Sequence, residues 1–392
     1  MPGEKVRVVH YCNQLGIGGT ERTMELFCQY LDRERFEVFV VSRRGRTSLS
    51  RKLKVELRAL FGSEAAAAKR RQLRARDVRV ERFRAVVGAD NVRFARDDAD
   101  LRRVLLDLSP DVLHVHYSGD PEPPTSDEAV MSRVPVTVTT NQFERHNTAP
   151  AHRHVRKMLF VSKGMFEAGA TWAHGDPRAD VLHNPVEAPC DQGDLRAELG
   201  LPPDAFVLGR VGRADPAIFD PISLLAYREV QGPRTWFLAL SPPENMVREA
   251  ARLGLVNFVA LPPTVDQRWL SRFYNTIDVL AHARKDGETF GCNIAEAMVH
   301  GKPVVSHISA VMNGHVEVIG DTGFVAPLDD WRAYAARLAE LQADPAARRA
   351  LGERARARAL ERFEARALTR RLEGLYLELL ARHRPALADR PA

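Results

Sequence analysis

Asp286-Gly287-Glu288-Thr289-Phe290-Gly291-Cys292-Asn293-Ile294-Ala295-Glu296-Ala297-Met298-Val299-His300-Gly301-Lys302-Pro303-Val304-Val305 is the stretch on which the reading of this chain turns. It predicts a turn, a helix over 293–300 and a buried strand over 303–306. Glu288 and Glu296 stand eight positions apart, with Phe290-Gly291 between them. A glycine at a helix start lets backbone N–H groups come close to a phosphate, and the helix dipole favours the negative charge there. A carboxylate two turns into the helix cannot reach the same atoms, but it can bind hydroxyls on a ribose lying alongside. The spacing therefore suits one carboxylate near a sugar, a phosphate at the turn and a second carboxylate near a nucleoside.

Outward from this stretch, short Val-rich runs alternate with helical patterns. Strands are expected over 6–10, 36–41, 112–116, 134–140 and 158–161, with helices over 20–31 and 101–108 between them. A second set of strands is expected over 206–211, 235–240, 257–260, 279–281 and 303–306. The β-α alternation implies two doubly wound parallel sheets. Asn184-Pro185 and the stretch 189–193 mark a hinge, and a cleft between two such domains is a usual ligand site. The expected division is 1–187, 188–364 and a C-terminal helix over 365–392 returning to the first domain.

The long stretch resembles the E-x7-E motif of glycosyltransferase family 4, with E-A-M and G-x-P-V-V following it. Other pieces resemble the family in the same order. Gly16-Ile17-Gly18-Gly19-Thr20-Glu21 is similar to its glycine-rich loop; it is no dinucleotide fingerprint, because Glu21 holds the third glycine position. Pro110-Asp111-Val112-Leu113-His114-Val115-His116 is similar to a strand end of the family, and Gly209-Arg210-Val211-Gly212-Arg213 to the strand opening its second domain. The resemblance implies the GT-B fold, two Rossmann-like domains with parallel sheets facing across a cleft. It implies a retaining transferase that takes a sugar from a nucleoside-diphosphate sugar, of UDP or GDP, with no metal and no other cofactor.

Carried over residue by residue, Arg213 grips the diphosphate, a role that bidentate guanidinium pairing suits. Gly18 and Gly19 face the donor phosphates, as do Phe290, Gly291, Cys292, Asn293 and Ile294 at the helix start. Glu296 takes the ribose and Glu288 the transferred sugar; His116, at the end of the strand expected over 112–116, joins Glu288, Arg213 and Asn141 as the catalytic candidates. Asn141 stands where the family often has a histidine contacting the donor sugar. Ile218 stands where it usually has a lysine, and Thr289 where glycine is commoner. These departures keep open a non-catalytic nucleotide-sugar-binding relative, and an epimerase or hydrolase of the same fold. Asp97-Asp98-Ala99-Asp100 reads as the acidic start of a helix rather than as a metal-binding D-x-D.

Composition sets outer bounds. The 392 residues, 45% hydrophobic and 28% charged, suit two globular domains, and no apolar run is long enough to span a bilayer. Cys12, Cys28, Cys190 and Cys292 are scattered, which fits a reducing compartment and a cytoplasmic protein. The net charge of +6 is concentrated: residues 43–84 hold 15 Lys or Arg against 4 Asp or Glu, so the remainder is net acidic. A whole-face nucleic-acid site is excluded on that ground. Residues 50–83 read as a basic helical insertion, with peripheral membrane contact as one role for the basic stretch 43–84. The expected partners are a nucleotide-sugar donor and a small-molecule, glycan or lipid-linked acceptor.

Overall fold

Among the described residues two large sheets, every strand pairing parallel, organise the chain. The first runs β3-β2-β1-β4-β5-β6-β7, from β1 (Val6–Cys12), β2 (Phe36–Arg43), β3 (Val92–Ala95), β4 (Val112–Tyr117), β5 (Val136–Asn141), β6 (Val155–Phe160) and β7 (Ala179–Val181). The second runs β10-β9-β8-β11-β13-β15, from β8 (Phe206–Val211), β9 (Thr235–Leu240), β10 (Phe258–Leu261), β11 (Val279–Ala281), β13 (Val304–His307) and β15 (Phe324–Ala326). Two further short strands, β12 (Gly287–Glu288) and β14 (Met312–Asn313), pair with each other. In both large sheets the strand order reverses once, between β1 and β4 and between β8 and β11, and such a reversal is where open α/β sheets bind ligands.

The computed structural model describes residues 5–43 and 77–383. They fall into two compact units, the first of residues up to Phe160, Trp172–Val181 and the chain from Arg366, the second of Val161–Thr171 and Leu182–Ala365. In the first unit β4 and β5 are buried along their whole length, as central strands covered on both faces must be. Its core joins Val9, Tyr11, Val41, Leu113 and Val115 to Leu101 and Leu105. The last two belong to the helix Asp98–Leu108, whose first turn is capped by the Asp97 carboxylate on the Asp100 amide at 3.0 Å. That cap is the work of the acidic run 97–100. From the C-terminal helix, Tyr376 packs edge-on to Phe36, and Glu373 accepts the Asp32 amide at 2.7 Å.

The second unit buries Leu208, Phe237, Val279 and Val305 of its strands against Leu224 and Tyr227 of the helix Ile222–Val230 and Leu338 of the helix Trp331–Ala343. The strands over 206–211, 235–240 and 279–281 lie as the sequence predicts. Others shift: β5 begins at Val136 because Pro135 has no N–H to give the ladder. β6 begins earlier, at Val155, through a half-buried Arg-Lys pair. β3, β7 and β15, of three or four residues each, were not expected.

The C-terminal end of the stretch expected as a basic insertion, 77–83, lies among the described residues. Val80–Val87 is a helix of the first unit with Phe83 fully buried. Arg79 and Arg82, with Arg22, surround the buried carboxylate of Glu25 at 2.7–2.8 Å. Burial alone would raise the pKa of Glu25, but the three guanidinium groups bring it below its ordinary value. Residues 44–76, the bulk of the expected insertion, lie outside the described residues.

Candidate active site

At the first switch point, β1 runs into a pinned loop. The Tyr11 hydroxyl donates to Asn13, whose amide donates to Glu122 at 2.8 Å. Gly18 then opens the helix Gly19–Tyr30 with no side-chain cap. A Cβ on Gly18 would stand 2.3 Å from Oε2 of the buried Glu21, so the glycine is needed for that carboxylate to fold back. Gly18 is half-buried and Gly19 exposed.

His116 lies elsewhere than at a surface. Residues two apart on one strand share a face, so His114 and His116 of β4 meet His10 of β1 inside the sheet. All three are buried, with His114 and His116 stacked at 4.2 Å. His10 Nδ1 and His116 Nε2 share a hydrogen bond of 3.0 Å, while His114 bonds the hydroxyls of Tyr376 and Thr140 at 2.5 and 2.7 Å. Burial, reinforced for His114 by its two neighbours and for His116 by His10, holds both well below the ordinary histidine pKa; His10 falls to about 3. Their ring nitrogens come within 4.8 Å of one another, close enough for a metal ion. Those of His114 are already engaged, however, and the trio is sealed without a carboxylate among the three to offset a dication's charge. The trio is neutral core. Asn141, at the end of β5, is also buried; its amide donates to the Arg145 carbonyl and its oxygen accepts the Phe143 amide. Its side chain shapes the turn 141–145.

The second switch point gathers more chemistry. The loop after β11 carries Arg284 and Asp286 into β12, which ends on Glu288. Arg284 is bidentate to Asp286 at 2.6 and 2.9 Å and reaches Glu288 at 3.2 Å. His282 lies 3.5 Å from the other oxygen of Glu288. Burial would raise the Glu288 carboxyl, yet the His282 hydrogen bond and the Arg284 charge bring it down to about 2, so it is ionised throughout the physiological range. Gly287 has φ of 68°, and a Cβ there would stand 1.7 Å from the Met312 carbonyl oxygen. β12 can lie against β14 only with glycine at that position.

Gly291 (φ 88°, left-handed) opens the helix Cys292–Val299 with no side-chain cap. The amides of Ile294 and Ala295 both turn back to the Gly291 carbonyl, so an anion at this turn has to be met by amides before Ile294. The side chains of Phe290 and Ile294 face the core, with Phe290 edge-on to Phe363 at 5.2 Å; Phe290 can serve a ligand only through its backbone, and the Ile294 amide is already engaged. Asn293 ties the helix to β8 through the Val211 carbonyl at 2.8 Å, and Cys292 accepts the Asn184 amide at 3.6 Å. Glu296, half-buried, receives the Tyr274 hydroxyl at 2.7 Å. Burial first, then the Glu296 charge, raises the Tyr274 pKa well above its ordinary value, so the phenol remains a donor. Arg213 is exposed.

The second unit thus brings together Glu288, Gly291, Cys292, Asn293 and Glu296, while Gly18, Gly19, Asn141 and His116 belong to the first. The partners Tyr274, His282 and Arg284 went unread in the sequence. Arg284 precedes Glu288 by four positions in the same loop, a charge pairing that could have been anticipated.

Comparison with known proteins finds two family models along the chain. Residues 17–188 match the family model described as Glycosyltransferase Family 4, and 194–358 that described as Glycosyl transferases group 1. D-inositol 3-phosphate glycosyltransferase of Segniliparus rotundus is 32% identical over 210 residues, 49% of this chain and 46% of that one. The same-named protein of Thermobispora bispora is 30% identical over 228 residues, 53% of each. The chain therefore spans about half the length of these relatives. In fold it is similar to HepE of Anabaena, solved in complex with UDP and glucose (17% identity, 95% of this chain and 100% of that chain, TM-score 0.67). It is likewise similar to a glycosyltransferase from Rickettsia africae (14% identity, 96% and 99%, TM-score 0.70). With the two parallel-sheet α/β units of the GT-B fold and both halves matched in order, the chain belongs to glycosyltransferase family 4.

Proposed function

We propose that the protein is a glycosyltransferase that takes a sugar from a nucleoside-diphosphate sugar, UDP or GDP, and transfers it with retention of configuration to a hydroxylated acceptor. The observation that carries this reading is the ordered set on the second unit: Glu288 held ionised, the uncapped helix start at Gly291, and Glu296 held by Tyr274 further along the same helix. Glu288 would accept hydrogen bonds from hydroxyls of the transferred sugar, and Glu296 from those of the ribose. Arg213 and the first amides of the helix would stabilise the charge that develops on the leaving diphosphate. In a retaining transfer the acceptor arrives on the face the diphosphate leaves, and a diphosphate oxygen can take its proton as the new bond forms. This scheme calls on no carboxylate pair acting as acid and nucleophile and on no metal.

A UDP-sugar is the first donor to try, since the fold neighbour HepE was solved with UDP and glucose. D-inositol 3-phosphate, named in the curated relatives, is the first acceptor. Calorimetric titration with UDP and with GDP, each without and with magnesium, tests the donor site. Micromolar, metal-independent binding of one supports the reading, and binding of neither refutes it. The anomeric configuration of the product, read by proton NMR, then decides between retention and inversion.

A further inference from the structure

The second unit has no cation at position 218 and no place for a solvated one: Ile218 is 7% exposed, and its carbonyl accepts the Lys285 amide at 3.0 Å. Of the neighbouring cations, Arg284 is engaged by Asp286 and Glu288, and Arg213 and Lys285 stand exposed on loops. Arg210 differs from all of these. It lies on β8 at the switch point and is only 4% exposed, and its guanidinium makes one hydrogen bond, to the Ser241 carbonyl at 3.3 Å. A guanidinium has five N–H donors, so most of its capacity is unmet. None of its nitrogens is among the buried, unpartnered polar atoms, so the unmet donors are not sealed in the core.

Gly212 fixes where the fork lies. A Cβ on Gly212 would stand 2.7 Å from one terminal nitrogen of Arg210 and 2.8 Å from its Cζ. The guanidinium therefore rests against the backbone one residue before the exposed Arg213. Burial lowers its pKa to about 10, opposed by the Glu288 charge, which leaves it protonated at neutral pH. It is not needed as the hydrogen-bonded counterion of Glu288, because Arg284 already fills that role.

We propose that Arg210 is a diphosphate-binding residue of the donor site, its fork taking phosphate oxygens, with Gly212 as the spacer that keeps the fork in place. This rests on the nucleotide-sugar reading above and adds to Arg213 a second residue that recognises the diphosphate. A planar fork held in a partly dry place meets phosphate oxygens in pairs and loses little side-chain freedom in doing so.

The test is calorimetric binding of UDP and of uridine, or of GDP and guanosine if the protein prefers guanine. It is run on the native protein and on Arg210→Met, Arg210→Lys and Gly212→Ala. A charge-assisted hydrogen bond corresponds to about tenfold or more in affinity, so Arg210→Met should weaken the diphosphate by about that factor and leave the nucleoside unchanged. Arg210→Lys keeps the charge but not the fork and should lose part of the same increment. Gly212→Ala, which displaces the fork, should lose part of it too. If Arg210→Met does not fold, the other two variants decide. The assignment is overturned if both of them bind the diphosphate as the native protein does, or if nucleoside and diphosphate affinities fall together. Failure of the native protein to bind either diphosphate would instead remove the nucleotide-sugar reading, and this assignment with it.

Discussion

The buried histidine trio should make the first unit acid-labile well above the range in which carboxylates protonate. His10 titrates at about 3, and His114 and His116 sit well below 6.5, in each case chiefly because burial disfavours the charged ring. On unfolding, each ring regains an ordinary pKa of about 6.5 and binds a proton that the folded state refuses. A base whose folded pKa is depressed contributes stability that is complete above about pH 6.5 and is lost as the pH falls below it. Between pH 7 and 5.5 the loss is about 1.3 kcal/mol per histidine, so about 4 kcal/mol for the three. Set against a typical stability of about 5–15 kcal/mol, that is a large share. Urea unfolding followed by circular dichroism at pH 7.5, 6.5 and 5.5 measures it. The trio's share of the slope near pH 5.5 should approach about 3.7 kcal/mol per pH unit, and His116→Leu should lower the measured slope by about 1.2, a third of that share, whatever the substitution does to absolute stability. His152 in the same unit, and His300 and His315 in the second, each lowered to about 4 chiefly by burial, add to the slope of both proteins equally, so the difference between the proteins isolates His116. Native and His116→Leu slopes that agree to within about 0.3 kcal/mol per pH unit would refute the claim that the trio is neutral core.

Three further outcomes follow from particular contacts. Tyr274→Phe deletes the hydroxyl held by Glu296 and should weaken nucleoside-diphosphate binding by about fivefold, near 1 kcal/mol, with the melting temperature little changed; unchanged affinity would detach Glu296 from the nucleotide. Glu25→Gln leaves Arg22, Arg79 and Arg82 around a neutral group and should cost about 3–5 kcal/mol in urea unfolding, whereas a loss under about 1 kcal/mol would show that solvent already screens the cluster. Gly287→Ala puts a Cβ against the Met312 carbonyl at a positive φ; it should lower the melting temperature and abolish turnover together, because the strand presenting Glu288 must shift, and a fully active variant would show that β12 is not needed in its present register.

What the sequence makes legible follows from the length scale of each signal. Apolar central strands such as β8, β9 and β11 advertise themselves, because burial on both faces demands apolar residues at nearly every position. β7 and β15 have three residues each, too few for a period of two to register, and they exist because the neighbouring strand supplies the ladder. The helix Val80–Val87 was hidden for a different reason. Its Arg79 and Arg82 continue the basic composition of the stretch before it, and only the buried Glu25, more than fifty residues away, turns those arginines from a solvated face into an interior network.

The candidate site divides along the same line. Glu288, Gly291 and Glu296 were readable because a local string, turn then helix, fixes their mutual placement whatever surrounds it. Their functional state was not readable, since it depends on Arg284, His282 and Tyr274, and pairing is a property of the folded chain. His116 shows the converse: H-x-H at a strand end looks like exposed chemistry, but a parallel strand with both faces covered turns the pair inward onto His10. The Arg210 signal was present all along as the one charged residue in the run Phe206-Val207-Leu208-Gly209-Arg210-Val211. A cation in a strand buried on both faces needs a compensating partner, and β8 gives its guanidinium a single carbonyl. A charge retained inside a central strand at a switch point, with its hydrogen bonds left unmet, is physically sensible if an anion completes it.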